Sequence, residues 1–190
     1  MRTFVAVVPY PEVLDKIDKV QKRIAPELEH FRSDIKWVRP QDAHITLAFL
    51  GEVDDNHLQS VCDIVRTSVT GRTDFTISVQ GTGTFGKNAH TFWAGLTQGA
   101  EQMKALREAV CTPLAEKGFF SPSKRFEPHI TLARIKSPRP GRIIKSIDRS
   151  LKKQSFGSCP VESVCVFTSE LTKKGPKYTV AAQYFFAKPR

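Results

Sequence analysis

His44-Ile45-Thr46-Leu47-Ala48 and His129-Ile130-Thr131-Leu132-Ala133 are the same five-residue word written twice in a chain of 190 residues. Within the word, β-branched and leucine residues alternate with polar ones, which is the period of a half-buried strand. Successive strand side chains point to opposite faces, so His44 and Thr46 share one face while Ile45 and Leu47 share the other. The second copy divides in the same way, into His129 with Thr131 and Ile130 with Leu132. Each copy presents an imidazole and a hydroxyl together, from a strand whose other face can enter a core.

The flanking patterns place each word in a similar setting. Residues 2–8 read as a buried strand ended by Pro9, and Val13, Ile17, Val20, Ile24 and Leu28 then recur at helical spacing. A short strand is expected over 35–38, broken by Pro40, and the first word's strand runs on to Gly51. Leu58, Val61, Val65 and Val69 mark a second helix, with Asp54 and Asp55 as capping candidates. Strands over 75–79 and 91–96 follow, with Gly81, Gly83 and Gly86 read as the turn between them. The order of elements then begins again. Met103, Leu106, Val110 and Leu114 make a third helix closing at Gly118, and Pro128 holds Glu127 extended ahead of the second word. Residues 138–141 read as a loop, Ile143, Ile144, Ile147 and Leu151 as a short basic helix, and 161–168 and 177–186 as two last strands. The expectation is an α+β chain in two pseudo-twofold-related lobes, each with an antiparallel sheet, two helices and one His-x-Thr strand around a central cleft. Residues 1–190 are read as a single bilobal domain.

Composition narrows the setting. Twenty-nine Lys and Arg against 19 Asp and Glu give a formal net charge of +10, which suits a polyanionic partner such as nucleic acid. The four cysteines form no C-x-x-C pair and are too sparse for a disulfide framework, so a reducing cytoplasm is expected. No stretch approaches a membrane span, and a soluble monomer is the default.

Two imidazoles facing each other across a cleft can act as general base and general acid. In-line displacement at phosphorus needs them on opposite sides of the phosphate, which two related lobes supply. The threonine hydroxyls, on the same faces, can donate hydrogen bonds to the non-bridging oxygens.

The paired words resemble the two H-x-T-x motifs of the two-histidine phosphoesterases, and most closely the RNA 2',3'-cyclic phosphodiesterase branch historically called 2'-5' RNA ligases. The resemblance extends over Arg2-x-Phe4, Trp37-Val38-x-Pro40 and His44 to Gly51. It continues through Arg125-Phe126-x-Pro128-His129-Ile-Thr-Leu-Ala-Arg134 and Ser169-x-Leu171-x-x-x-Gly175-x-x-Tyr178. It implies that His44 donates a proton to the departing ribose 3' oxygen, that His129 activates water, and that Thr46, Thr131 and Arg134 hold the phosphate. The implied reaction opens RNA 2',3'-cyclic phosphate ends, tRNA fragments among them, to 2'-phosphates without metal or other cofactor; the reverse reaction makes 2'-5' bonds. Strict alternation puts Arg134 on the face opposite His129, so a bulge, the strand end or a long reach is required. The first word has Phe49 at that position.

Phe126 is a candidate for stacking on a base, and Tyr178 for a ligand contact. Lys173 and Lys174, in the turn of the last motif, are candidates for steering an RNA end towards the cleft. His30, His57 and His90 stand in no repeated context and receive no role. Three alternatives stay open. A metal hydrolase could use Asp42 and Glu127, each two residues before a motif histidine. A related enzyme could act on another cyclic phosphate or oligonucleotide end. A non-catalytic RNA-binding module could keep the fold and the charge.

Overall fold

The computed structural model describes residues 1–121, 126–172 and 175–187. Strand β1 (Arg2–Val7) is buried from its second residue onward. Pro11 opens helix α1 (Pro11–Ile24), where its missing N–H is no loss. The apolar stripe Val13, Ile17, Val20 and Ile24 faces the core, and Pro26 then tightens the chain into a 3₁₀ helix over Ala25–Phe31 that buries Leu28. Next come β2 (Ile35–Trp37), a short 3₁₀ turn (Pro40–Asp42) and β3 (Ile45–Glu52). Helix α2 (Asp55–Val69) is capped by Asp54, whose carboxylate accepts from the His57 N–H. The middle of the chain supplies β4 (Phe75–Phe85), β5 (Thr91–Gln98), α3 (Ala100–Glu116) and β6 (His129–Ile135). It ends with α4 (Pro138–Ser150), β7 (Ser155–Val161), β8 (Ser163–Thr172) and β9 (Gly175–Phe185).

Two local expectations need correction, and one strand had not been expected. Gly81 and Gly83 are not in a turn, since β4 runs through both and only Gly86 lies beyond its end. These glycines are demanded by close approach: a Cβ on Gly83 would stand 2.1 Å from the Trp93 ring, and one on Gly81 2.7 Å from the Lys152 carbonyl oxygen. Residues 138–141 are the first turn of α4 rather than a loop, with Pro138 at its start. Strand β7 escapes a pattern search because Gly157 and Pro160 interrupt it; at the end of its sheet, a proline costs no ladder hydrogen bond on the open side.

The described strands form two antiparallel sheets. The first has the order β3-β1-β8-β9 and is covered by α2 and α3; the second has the order β2-β6-β5-β4-β7 and is covered by α1 and α4. Each sheet carries one His-x-Thr strand and two helices, as expected, but the lobes are not the two halves of the chain. Strands β2, β4 and β5 join the second sheet, and β8 and β9 return to the first. The apolar run of β1 accounts for the return: buried on nearly every residue, it takes β3 on one side and β8 on the other. The helices are exchanged as well. Helix α1 follows a strand of the first sheet and packs on β7 of the second, whereas α3 follows β5 of the second sheet and packs on β3 of the first. Strands β3 and β6 meet between the sheets, so the two words open onto one cleft.

Candidate active site

The cleft has a volume of about 880 Å³ and is lined by His44, Thr46, His129, Thr131 and Arg134 together with Tyr178 and Phe126. His44 stands one residue ahead of β3, and His129 is the first residue of β6. Each ring is held by the same device. Nδ1 of His44 lies 2.7 Å from the carbonyl oxygen of Asp42, and Nδ1 of His129 lies 2.6 Å from that of Glu127. A carbonyl can only accept, so Nδ1 carries the hydrogen and donates it. That leaves Nε2 of each ring for a ligand in the cleft.

Aromatic walls fix the rings further. Phe4 stacks on His44 with ring centres 4.8 Å apart, and Tyr178 meets it edge-on at 5.6 Å. Phe85 meets His129 edge-on at 4.8 Å, beside Trp93. Burial among these rings pushes both imidazole pKa values below the ordinary 6.5. The carbonyl bonds oppose that shift, while the Arg134 charge lowers both values further, and each ring is therefore neutral near pH 7 without a ligand.

The parity problem at Arg134 is resolved by a bulge. On β6, Ala133 pairs with Phe92 and Thr131 with Trp93, so Leu132 is the extra residue. Leu132 and Ala133 are both buried, and Arg134 turns back to the face of His129 and Thr131. Strand β3 repeats the device: Ala48 pairs with Val5 and Thr46 with Ala6, leaving Leu47 extra. Phe49 thereby occupies in the first word the position of Arg134 in the second, and it also lines the cleft.

Each exchanged helix holds one bulge. Gln21 of α1 donates from Nε2 to the Leu132 carbonyl at 2.9 Å and to the Val38 carbonyl at 2.8 Å. From α3, Arg107 Nε donates to the Leu47 carbonyl at 3.1 Å and Cys111 Sγ donates to the same oxygen at 3.5 Å. The Arg107 guanidinium also covers the Phe126 ring, 4.7 Å from its centre, which ties Phe126 to the helix that holds the Leu47 bulge.

Asp42 and Glu127 line the cleft, but what they give the histidines is their backbone carbonyls. The Asp42 carboxylate accepts from Arg39 Nε at 2.5 Å. Among the described residues, no three His, Cys, Asp or Glu side chains gather into a set that could hold a metal ion. His57 bonds to Asp54 and His90 lies against the Ile135 carbonyl, away from the cleft lining. Lys173 and Lys174 lie outside the described residues, as does Arg125. Sequence reading missed Arg107, Phe85 and Trp93. Arg107 is 60 positions from the carbonyl it caps and carries no local signal, whereas Gly83 was an unread trace of Trp93.

A family model described as the 2'-5' RNA ligase superfamily matches residues 10–172. An RNA 2',3'-cyclic phosphodiesterase of Archaeoglobus fulgidus is 33% identical over 182 residues, covering 94% of this chain and 96% of that protein. One of Aquifex aeolicus is 31% identical over 172 residues, 89% of this chain and 90% of that protein. Among solved structures, a Thermus thermophilus protein matches with a TM-score of 0.79 at 30% identity over 98% of both chains. Escherichia coli LigT, solved with 3'-AMP, matches with a TM-score of 0.80 at 21% identity over 97% of both and has the same fold.

Proposed function

This chain belongs to the 2'-5' RNA ligase superfamily, and on that premise we propose that it is an RNA 2',3'-cyclic phosphodiesterase yielding 2'-phosphate ends. The observation that carries the reading is the duplicated device: two imidazoles on one cleft, each with Nδ1 tied to a carbonyl and each followed by a threonine on the same face.

In the proposed reaction the cyclic phosphate sits between the two rings. Nε2 of His129 takes a proton from water as its oxygen bonds to phosphorus, and the bond from phosphorus to the 3' oxygen breaks. Nε2 of His44 gives that oxygen its proton. Thr46 and Thr131 donate to the non-bridging oxygens, and Arg134 balances their charge. Both rings have lowered pKa values in the free protein, so His44 takes up its proton from solvent as the substrate binds, the negative charge of the phosphate offsetting burial and the repulsion from Arg134. No step calls on a metal ion. With a 5'-hydroxyl in place of water, the same geometry runs the reverse ligation. Four free, buried cysteines favour a reducing, cytoplasmic setting. Among the described residues no helix is long and apolar enough to cross a membrane. We take the chain to work as a monomer and as one bilobal domain, the single domain being supported by a chain path that passes back and forth between the two sheets.

The test is an RNA oligonucleotide ending in a 2',3'-cyclic phosphate, incubated with chelator and analysed by chromatography. Wild type is expected to give the 2'-phosphate, and His44→Ala or His129→Ala to lose about 10²- to 10⁴-fold in rate. A 3'-phosphate product would overturn the assigned leaving group, and RNA binding without turnover would make the chain a binding module.

A further inference from the structure

Beside the cleft, next to Arg134 but outside the lining itself, stands a cation that the reaction leaves unused. Lys36 of β2 pairs with Arg134 of β6 in the antiparallel ladder, flanked by Ile35 opposite Ile135, both buried. Paired residues lie on one face of a sheet. Since Ile35 and Ile135 take the core face, Lys36 takes the cleft face together with Arg134. Two like charges directly opposite each other across a ladder oppose folding unless an anion lies between them. Both side chains are exposed, and neither has a carboxylate partner among the described residues.

Lys36 also reaches across to the other sheet. Its Nζ lies 3.1 Å from where a Cβ on Gly175 would be, at the start of β9, and that strand carries Tyr178 in the cleft. The bare Gly175 backbone leaves room for the ammonium group. Arg39 lies on this side too, and its charge and that of Arg134 both act on the Tyr178 phenol. Aromatic rings also line the cleft, among them Phe49 and the Phe126 ring under Arg107. One step out from Arg134 towards the edge of the second sheet is about 5 Å, the scale on which a second phosphate of the same strand follows the first.

We propose that Lys36, opposite Arg134 and against Gly175, binds the phosphodiester on the 5' side of the terminal nucleotide, so that the substrate is an RNA strand rather than a mononucleotide. The proposal rests on the cyclic phosphodiesterase reading and adds a subsite to it. A mononucleoside cyclic phosphate reaches the histidines and Arg134 but has nothing to offer Lys36.

The test compares kcat/KM for a short RNA ending in a 2',3'-cyclic phosphate with that for a mononucleoside 2',3'-cyclic phosphate, in wild type, Lys36→Ala and Lys36→Arg. Lys36→Ala is expected to lose roughly tenfold on the RNA, through KM, and to flatten the slope of log(kcat/KM) against log salt by about 0.7. It should leave the mononucleotide unchanged, and Lys36→Arg should restore the RNA rate. Equal losses on both substrates, or no loss on either, would overturn the subsite. Equilibrium binding of a short RNA ending in a 2'-phosphate reads the same subsite without turnover. A roughly tenfold weaker complex with the same flattened salt slope supports the subsite, and unchanged binding overturns it. If wild type opens neither substrate, the activity reading fails while the binding measurement still decides on Lys36.

Discussion

The two His-x-Thr strands are a natural pair to compare, because the chain builds them alike and then furnishes them differently. Both histidines give Nδ1 to the carbonyl two residues back, and both strands bulge at the leucine of the word. Both bulges are held by a helix that packs across from the other sheet's sequence neighbourhood. The differences begin at the residue after the repeated word, where one strand turns Phe49 into the cleft and the other turns Arg134. They continue in the walls, since His44 has a stacked phenylalanine and a tyrosine edge, while His129 has a phenylalanine edge and an indole. The common scaffold fixes where two imidazoles stand; the residues brought in by the bulges separate their environments. A symmetric pair becomes an acid and a base because its surroundings are unequal.

That comparison breaks most visibly at Arg134. Arg134→Ala should lower kcat about 10²-fold, since a charge opposite the transition-state phosphate is lost. The sign of its second effect is set by the cation itself. Arg134 holds both histidine pKa values down, so without it both limbs of the profile of kcat/KM against pH should move to higher pH. Phe49→Arg makes the two words more alike and should move both limbs the other way. A profile that stays in place in both variants would show that the charge at this position does not govern the histidines.

The bulge clamps give a smaller effect, read as stability. Gln21 is buried and serves two carbonyls, but the Leu132 carbonyl also accepts the Val38 N–H, so Gln21→Leu takes the side-chain donor from the Val38 carbonyl and one of two donors from Leu132, at about 1–3 kcal/mol in all. Thermal denaturation should show a fall of several degrees, about 2–4 °C for each kcal/mol in a chain of this size. The matching change on the other side is milder. The Cys111 thiol is a weak donor and Arg107 serves the same Leu47 carbonyl, so Cys111→Ala should cost under about 1 kcal/mol. Equal losses in Gln21→Leu and Cys111→Ala would mean that the clamps are not what separates the two bulges.

The sequence by itself determined the two strands, the pairing of imidazole with hydroxyl on each, and most helices, because periodicity and a repeated word are local properties of the chain. It also marked position 134 as anomalous, since alternation and the expected role of Arg134 disagreed. What it did not contain was the remedy. A bulge at Leu132 is a relation between β6 and β5, and nothing in the five-letter word announces it. The glycines of β4 were misread for the same reason, because what they make room for is Trp93 on the paired strand β5 and Lys152 far along the chain. Only the tertiary structure decided that α1 and α3 would change sheets, that Gln21 and Arg107 would cap the bulged carbonyls, and that Lys36 would stand beside Arg134. Each of these depends on which surfaces bury together when the whole chain packs, and burial is a property of the assembled core rather than of any segment in it.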